Sequence, residues 1–193
     1  MKSEGSRLIL EKYTVLQQTM TSSCGICAIG AAIKYLNKEE TTTHYDLELN
    51  ILTTFESFCG YAVKSNGIRT MDDTVLLCNK LGYNAYIGYT KTGIAPRFST
   101  YQQFMEMIKY HLSNGRPIIS TSSTGSAHFI TVIGYDDMGT DYIYDDVIIT
   151  ADSNDCKDHF QDGFTVYPAT VFYRHDTSGN KNVLQQYLVI YGK

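Results

Sequence analysis

The chain has 193 residues, 43% hydrophobic and 19% charged, which is enough for one ordinary domain with a full apolar core and too apolar for a disordered chain. Its 16 basic and 20 acidic residues give a net charge of −4 without any Lys/Arg cluster, which argues against a nucleic-acid partner. No stretch of about 18 apolar residues and no signal-like N-terminal run occurs, and five cysteines (24, 27, 59, 78, 156) are an odd number. The expectation is therefore a chain without a membrane span, with reduced thiols in a cytoplasmic setting. Export by another route, or origin as a fragment of a larger protein, stays open.

Along the chain, residues 24–37 (CGICAIGAAIKYLN) place Ile29, Ala32, Ile33 and Leu36 on one helical stripe, with Ser22 and Ser23 as N-cap candidates. Cys24 thus falls in the first turn of a helix. A further helix is expected between Thr41 and Phe58. Thr70-Met-Asp-Asp opens another that ends near Gly82, and Ser99-Thr-Tyr-Gln opens one that runs to Ser113 and stops at Asn114-Gly115. The second half changes character: residues 117–122, 128–135, 143–151, 164–173 and 183–191 are β-branched and aromatic runs separated by Gly, Asp and Asn. Helices first and strands afterwards is the pattern of an α+β fold with an antiparallel sheet or partial barrel. Without repeats or linkers, residues 1–193 read as one domain, with a helical lobe over about 14–82 and a sheet lobe over about 83–193.

The stretch TSSCGICAIG (21–30) admits several chemistries. A redox dithiol needs a preceding strand of a βαβ unit, and Lys12 to Leu16 is short and separated from Cys24 by polar residues. A structural zinc site needs a second close pair, whereas Cys59, Cys78 and Cys156 stand alone; no metal and no cofactor are expected. Cys27, one turn into the helix, suits a small buried apolar role. Cys24 suits a nucleophile, because a helix N-terminus offers partial positive charge and unpaired N–H groups.

A thiolate needs a base. His44, His111, His159 and His175 lie in polar or helix-end segments and read as solvated surface residues. His128 instead opens the strongly apolar strand HFITVIGY, where its backbone is fixed while its ring can reach outward. The next strand, Val147 to Ala151, delivers Asp152 at its end, and a hairpin can bring it to His128 to orient the ring. Asp136, Asp137, Asp145 and Asp146 fall at the far end of that hairpin and read as turn residues; Asn154 is a weaker orienting candidate. Gln18, six residues before Cys24, can donate to a developing oxyanion beside the Cys24 N–H, with Gln17 as its alternative.

The order Gln18, Cys24, His128, Asp152 resembles the papain-like cysteine peptidases, and among them the bacterial bacteriocin-processing (double-glycine leader) peptidases and their stand-alone relatives. The carrying segments are Gln18-Thr-Met-Thr-Ser-Ser-Cys24-Gly25, Gly115-Arg-Pro-Ile-Ile, His128-Phe-Ile-Thr-Val-Ile-Gly134-Tyr135-Asp136 and Asp152. The resemblance implies a papain-like fold, with a helical lobe bearing the cysteine, a sheet lobe bearing His and Asp, and a cleft for a peptide or protein substrate between them. Ser23 and Ser153 stand where those leader peptidases usually carry an acidic residue and a proline, a departure that bears on substrate and leaves the four-residue chemistry intact. The expected activity is thiol-dependent hydrolysis of a peptide or amide bond. The same parts serve a glutamine deamidase or an acyltransferase, and a non-catalytic binding homologue is the remaining alternative.

Overall fold

The computed structural model describes residues 6–38, 43–63, 67–68, 70–88, 98, 100–122, 128–155, 160–177 and 187–193. Cys156, His159, Ser99, residues 125–127 and the first part of the strand expected over 183–191 lie outside them, as does the side chain of His175.

The short strand β1 (Arg7–Ile9) precedes three helices, α1 (Cys24–Asn37), α2 (His44–Cys59) and α3 (Met71–Lys80). Thr43 and Thr70 start α2 and α3 by accepting from the N–H groups of Asp46 and Asp73, and Gly60 ends α2 at φ +73°. Strand β2 (Asn84–Ile87) leads to α4 (Tyr101–Ser113), whose cap is Thr100, accepting from the Gln103 N–H. Then follow β3 (Ile118–Ser122), β4 (His128–Asp136), β5 (Val147–Asp152), β6 (Phe164–Pro168), α5 (Ala169–Thr177) and β7 (Tyr187–Gly192).

The strands make one antiparallel sheet in the order β2-β7-β3-β4-β5-β6, with β1 pairing β4 beyond the end of β3. Alternation along the central strands sends side chains to both faces. Ile118 and Val189 pack with Phe104, Ile108 and Leu112 of α4, while Ile119, Leu188 and Ile190 pack with Ile29, Ile33 and residues of α2 and α3. The sheet is thus covered by helices on both sides, an α+β arrangement. Helix α1 is buried all round from Cys24 to Lys34, where a single apolar stripe is expected, because it joins both clusters: Cys27 and Ala31 in one, Ile29, Ala32 and Ile33 in the other.

Two further expectations are corrected. The strand expected over 143–151 begins only at Val147, because residues 143–145 form a turn. The strand expected over 164–173 stops at Pro168, and α5 follows. Pro168 lies on the edge strand β6, and the next residue, Ala169, donates its N–H to the Asp146 carbonyl, which turns the chain out of the sheet. Ala169 and Phe172 then bury at helical spacing, so packing overrides the β-propensity of Val171, Phe172 and Tyr173. Strands β1 and β2, of three and four residues, are too short to show a period in sequence.

Gly134 lies where β1 crosses β4, beside a bulge that leaves Ile133 without a partner on β5. A Cβ at position 134 would sit 2.8 Å from the Leu8 carbonyl oxygen and 3.1 Å from the Ile9 side chain. The alanine variant G134A is expected to lose about 1–3 kcal/mol in denaturant unfolding, since the colliding atom is backbone of a paired strand. Full retention of stability would place β1 elsewhere.

Candidate active site

Cys24 opens α1 and is 8% exposed. What brings the sheet onto it is the residue that follows. A Cβ on Gly25 would lie 2.9 Å from the end of Ile68 and 3.1 Å from the Phe129 ring, so only glycine lets Phe129, the neighbour of His128, approach this closely. The His128 ring faces the Cys24 thiol and interacts with it, and the backbone N–H groups of Phe129 and Gly25 face the same sulfur.

His128 is the first residue of β4, paired with Ser122 on β3. On its other side Asp152 pairs with Ile130, two residues along, which makes His128 and Asp152 diagonal neighbours across antiparallel strands. Their side chains meet at 2.5 Å, His128 Nε2 to Asp152 Oδ1. With Nε2 committed there, Nδ1 is the nitrogen left for the thiol. Asp152 is 2% exposed and also accepts from the Asn154 N–H at 2.8 Å, so Asn154 supports the aspartate through its backbone.

The electrostatics follow from these contacts. Burial pushes the Cys24 thiol up, but the hydrogen bond to His128, the two N–H groups and the imidazolium charge outweigh it and hold the thiol below its ordinary value. Burial pushes the His128 ring down, while the hydrogen bonds to Asp152 and Cys24 and their charges raise it to about 9. A lowered thiol beside a raised imidazole is the condition for a thiolate–imidazolium pair near neutral pH. Cys27 is fully buried, and desolvation with the nearby Glu48 charge pushes its thiol up; burial likewise raises Cys78 to about 12.

Gln18 lies against the end of β5. Its N–H donates to the Ser153 carbonyl at 3.0 Å, and the Ser153 hydroxyl donates to Gln18 Oε1 at 3.1 Å. That bond turns the carboxamide so that Nε2 keeps a single long contact, 3.4 Å to the Met20 carbonyl. Gln17 instead donates to the Gln161 carbonyl from an exposed position.

Other expectations change. Ser23 occupies the N-cap position of α1 without a side-chain cap bond. His111, expected at the surface, is 3% exposed, with Nε2 2.9 Å from the Tyr86 hydroxyl, because the end of α4 packs against β2 and β7; burial and Arg116 lower its ring to about 4. His44 is exposed at the start of α2. Asp136, Asp137 and Asp145 take turn bonds from Met138 N–H, Gly139 N–H and Thr140 Oγ1, but Asp146 is buried and accepts from the Tyr101 hydroxyl at 2.5 Å. Glu48 escapes the sequence reading altogether. It is 1% exposed and binds the segment between Gln18 and Cys24. The signal was available as a carboxylate at a core position of the stripe Glu48, Ile51, Leu52, Phe55 on α2.

Among the described residues no helix is long and apolar enough to cross a membrane. Set against known proteins, the chain has no match among the curated ones. Set against known families, it matches the Peptidase_C39 like family over residues 10–175, a span that runs from before Gln18 to beyond Asp152. The papain-like α+β arrangement just described and the extent of that match carry one conclusion: the chain belongs to the Peptidase_C39 like family, relatives of cysteine peptidases.

Proposed function

We propose that the protein hydrolyses a peptide or amide bond by thiol acyl transfer, with Cys24 as nucleophile, His128 as base and acid, Asp152 as the group that orients the ring, and Gln18 with the Cys24 N–H as oxyanion donors. The observation that carries this reading is the His128 ring facing the Cys24 thiol on one side and bonded on the other to a buried carboxylate. The thiolate adds to the carbonyl carbon, and the amine leaves with the proton from His128. Water then gives a proton to His128, attacks the thioester and releases the acid, restoring the thiol. Asp152 keeps Nε2–H facing itself, so the nitrogen facing sulfur is the one that exchanges the proton.

Family membership supports a peptide or protein substrate. The resemblance to bacteriocin-processing peptidases suggests cleavage after a Gly-Gly pair. The test is digestion of a peptide library, spiked with double-glycine sequences, by purified protein and by protein alkylated with iodoacetamide. New termini from the untreated enzyme alone are the expected result, and enrichment of Gly-Gly before the cut would fix the leader-type preference. A shift of about one dalton at glutamine without chain cleavage would assign deamidation instead. Equal products from both samples would end the thiol mechanism.

A further inference from the structure

Glu48 is a buried carboxylate with a full set of neutral donors, and all of them come from one short segment. The Thr19 N–H is shared between Oε1 and Oε2 at 3.2 and 3.1 Å, the Thr19 hydroxyl donates to Oε2 at 2.7 Å, and the Ser23 hydroxyl shares its one proton between Oε1 at 2.6 Å and the Met20 carbonyl at 2.8 Å. Among the described residues no Lys, Arg or His side chain pairs with it. Burying an unpaired charge is costly, and leucine at this stripe position would cost nothing of the kind. The donors it gathers begin next to Gln18 and end next to Cys24.

Resting on the thiol acyl-transfer reading above, we propose that Glu48 is a positioning residue for the oxyanion site. Two contacts do this. The Thr19 bonds fix the backbone that carries Gln18 on one side, while Ser153 holds its carboxamide on the other. The Ser23 bond ties the residue directly before Cys24 to the same carboxylate, which fixes the backbone that carries the Cys24 N–H. Two carboxylate oxygens accept all these donors at once. A glutamine offers one acceptor and turns an NH₂ toward the rest.

The test separates two reactions of the same sulfur. Alkylation by iodoacetamide displaces iodide at a saturated carbon, forms no oxyanion, and needs only the thiolate. Acylation by p-nitrophenyl acetate passes through an oxyanion: the thiolate adds to the ester carbonyl, p-nitrophenolate leaves, and an acetyl thioester forms on Cys24. In the Glu48→Gln variant, p-nitrophenolate release is expected to fall about 10²-fold while Cys24 alkylation changes less than about two-fold. Ser23→Ala, which loses one of the donors, gives a smaller loss of the same kind and serves if Glu48→Gln does not fold; Thr19→Ser, which keeps both Thr19 donors, retains the wild-type rates. Parallel loss of both reactions in the folded variants makes Glu48 merely structural, and unchanged acylation removes the role; either result overturns the proposal. Failure of the acyl-transfer reading is distinguishable, because it appears in the wild type as a Cys24 alkylated no faster than the partly exposed Cys59.

Discussion

His128→Ala is expected to lower turnover about 10³-fold and to slow iodoacetamide labelling of Cys24 at pH 7 on the order of ten-fold. The two losses have one cause. In the native site burial alone would raise the Cys24 thiol, and the His128 hydrogen bond is the largest contribution that brings it down. Without the ring, the desolvated thiol is protonated at neutral pH and has no acid to give the leaving amine. Labelling followed by peptide mapping against Cys59 and the buried Cys27 and Cys78 measures the first effect, and product release the second. Unchanged labelling of Cys24 in the variant would remove the ion pair from the mechanism.

Wild-type turnover is expected to fall on both sides of a pH optimum, each limb set by one member of the pair. As pH falls through the lowered thiol value, sulfur is protonated and both labelling and turnover decline. As pH rises through about 9, His128 loses its proton; the thiolate persists, so labelling holds, but the acid for the leaving group is gone and turnover falls. Turnover should be bell-shaped and labelling sigmoidal, with apparent values that belong to the coupled pair.

Asp152→Asn carries the second largest expected effect, a loss of about 10²-fold in turnover. The aspartate accepts from His128 Nε2 at 2.5 Å, and its hydrogen bond and charge are among the causes that raise the ring. Asparagine removes the charge and can present an NH₂ group, favouring the tautomer with its proton on the nitrogen facing sulfur. The alkaline limb of the turnover profile should move below 9 together with the loss of rate. A variant with a reduced rate and an unmoved limb would assign Asp152 a packing role and no electrostatic one.

Local sequence pattern alone marked where the candidate residues fall. Cys24 at a helix start, His128 opening an apolar strand and Asp152 closing the next are consequences of local pattern, because polar residues that interrupt strong apolar runs mark element ends. The hairpin distance between His128 and Asp152 followed from antiparallel pairing of two recognisable strands. What the chain does between its elements was not legible. Residues 169–177 are as suited to a strand as to a helix, and the edge position of Pro168 with burial of Ala169 and Phe172 decided it. His111 and Asp146 sit in polar stretches of sequence, yet long-range packing buries them against Tyr86 and Tyr101. The same holds for Glu48 and Ser153, which hold the Gln18 to Cys24 segment from residues 25 to 135 positions away. Local pattern reports which side chains want water. Which buried polar group meets which donor is settled by tertiary contact alone, because the cost of leaving either unpaired appears when both are removed from water.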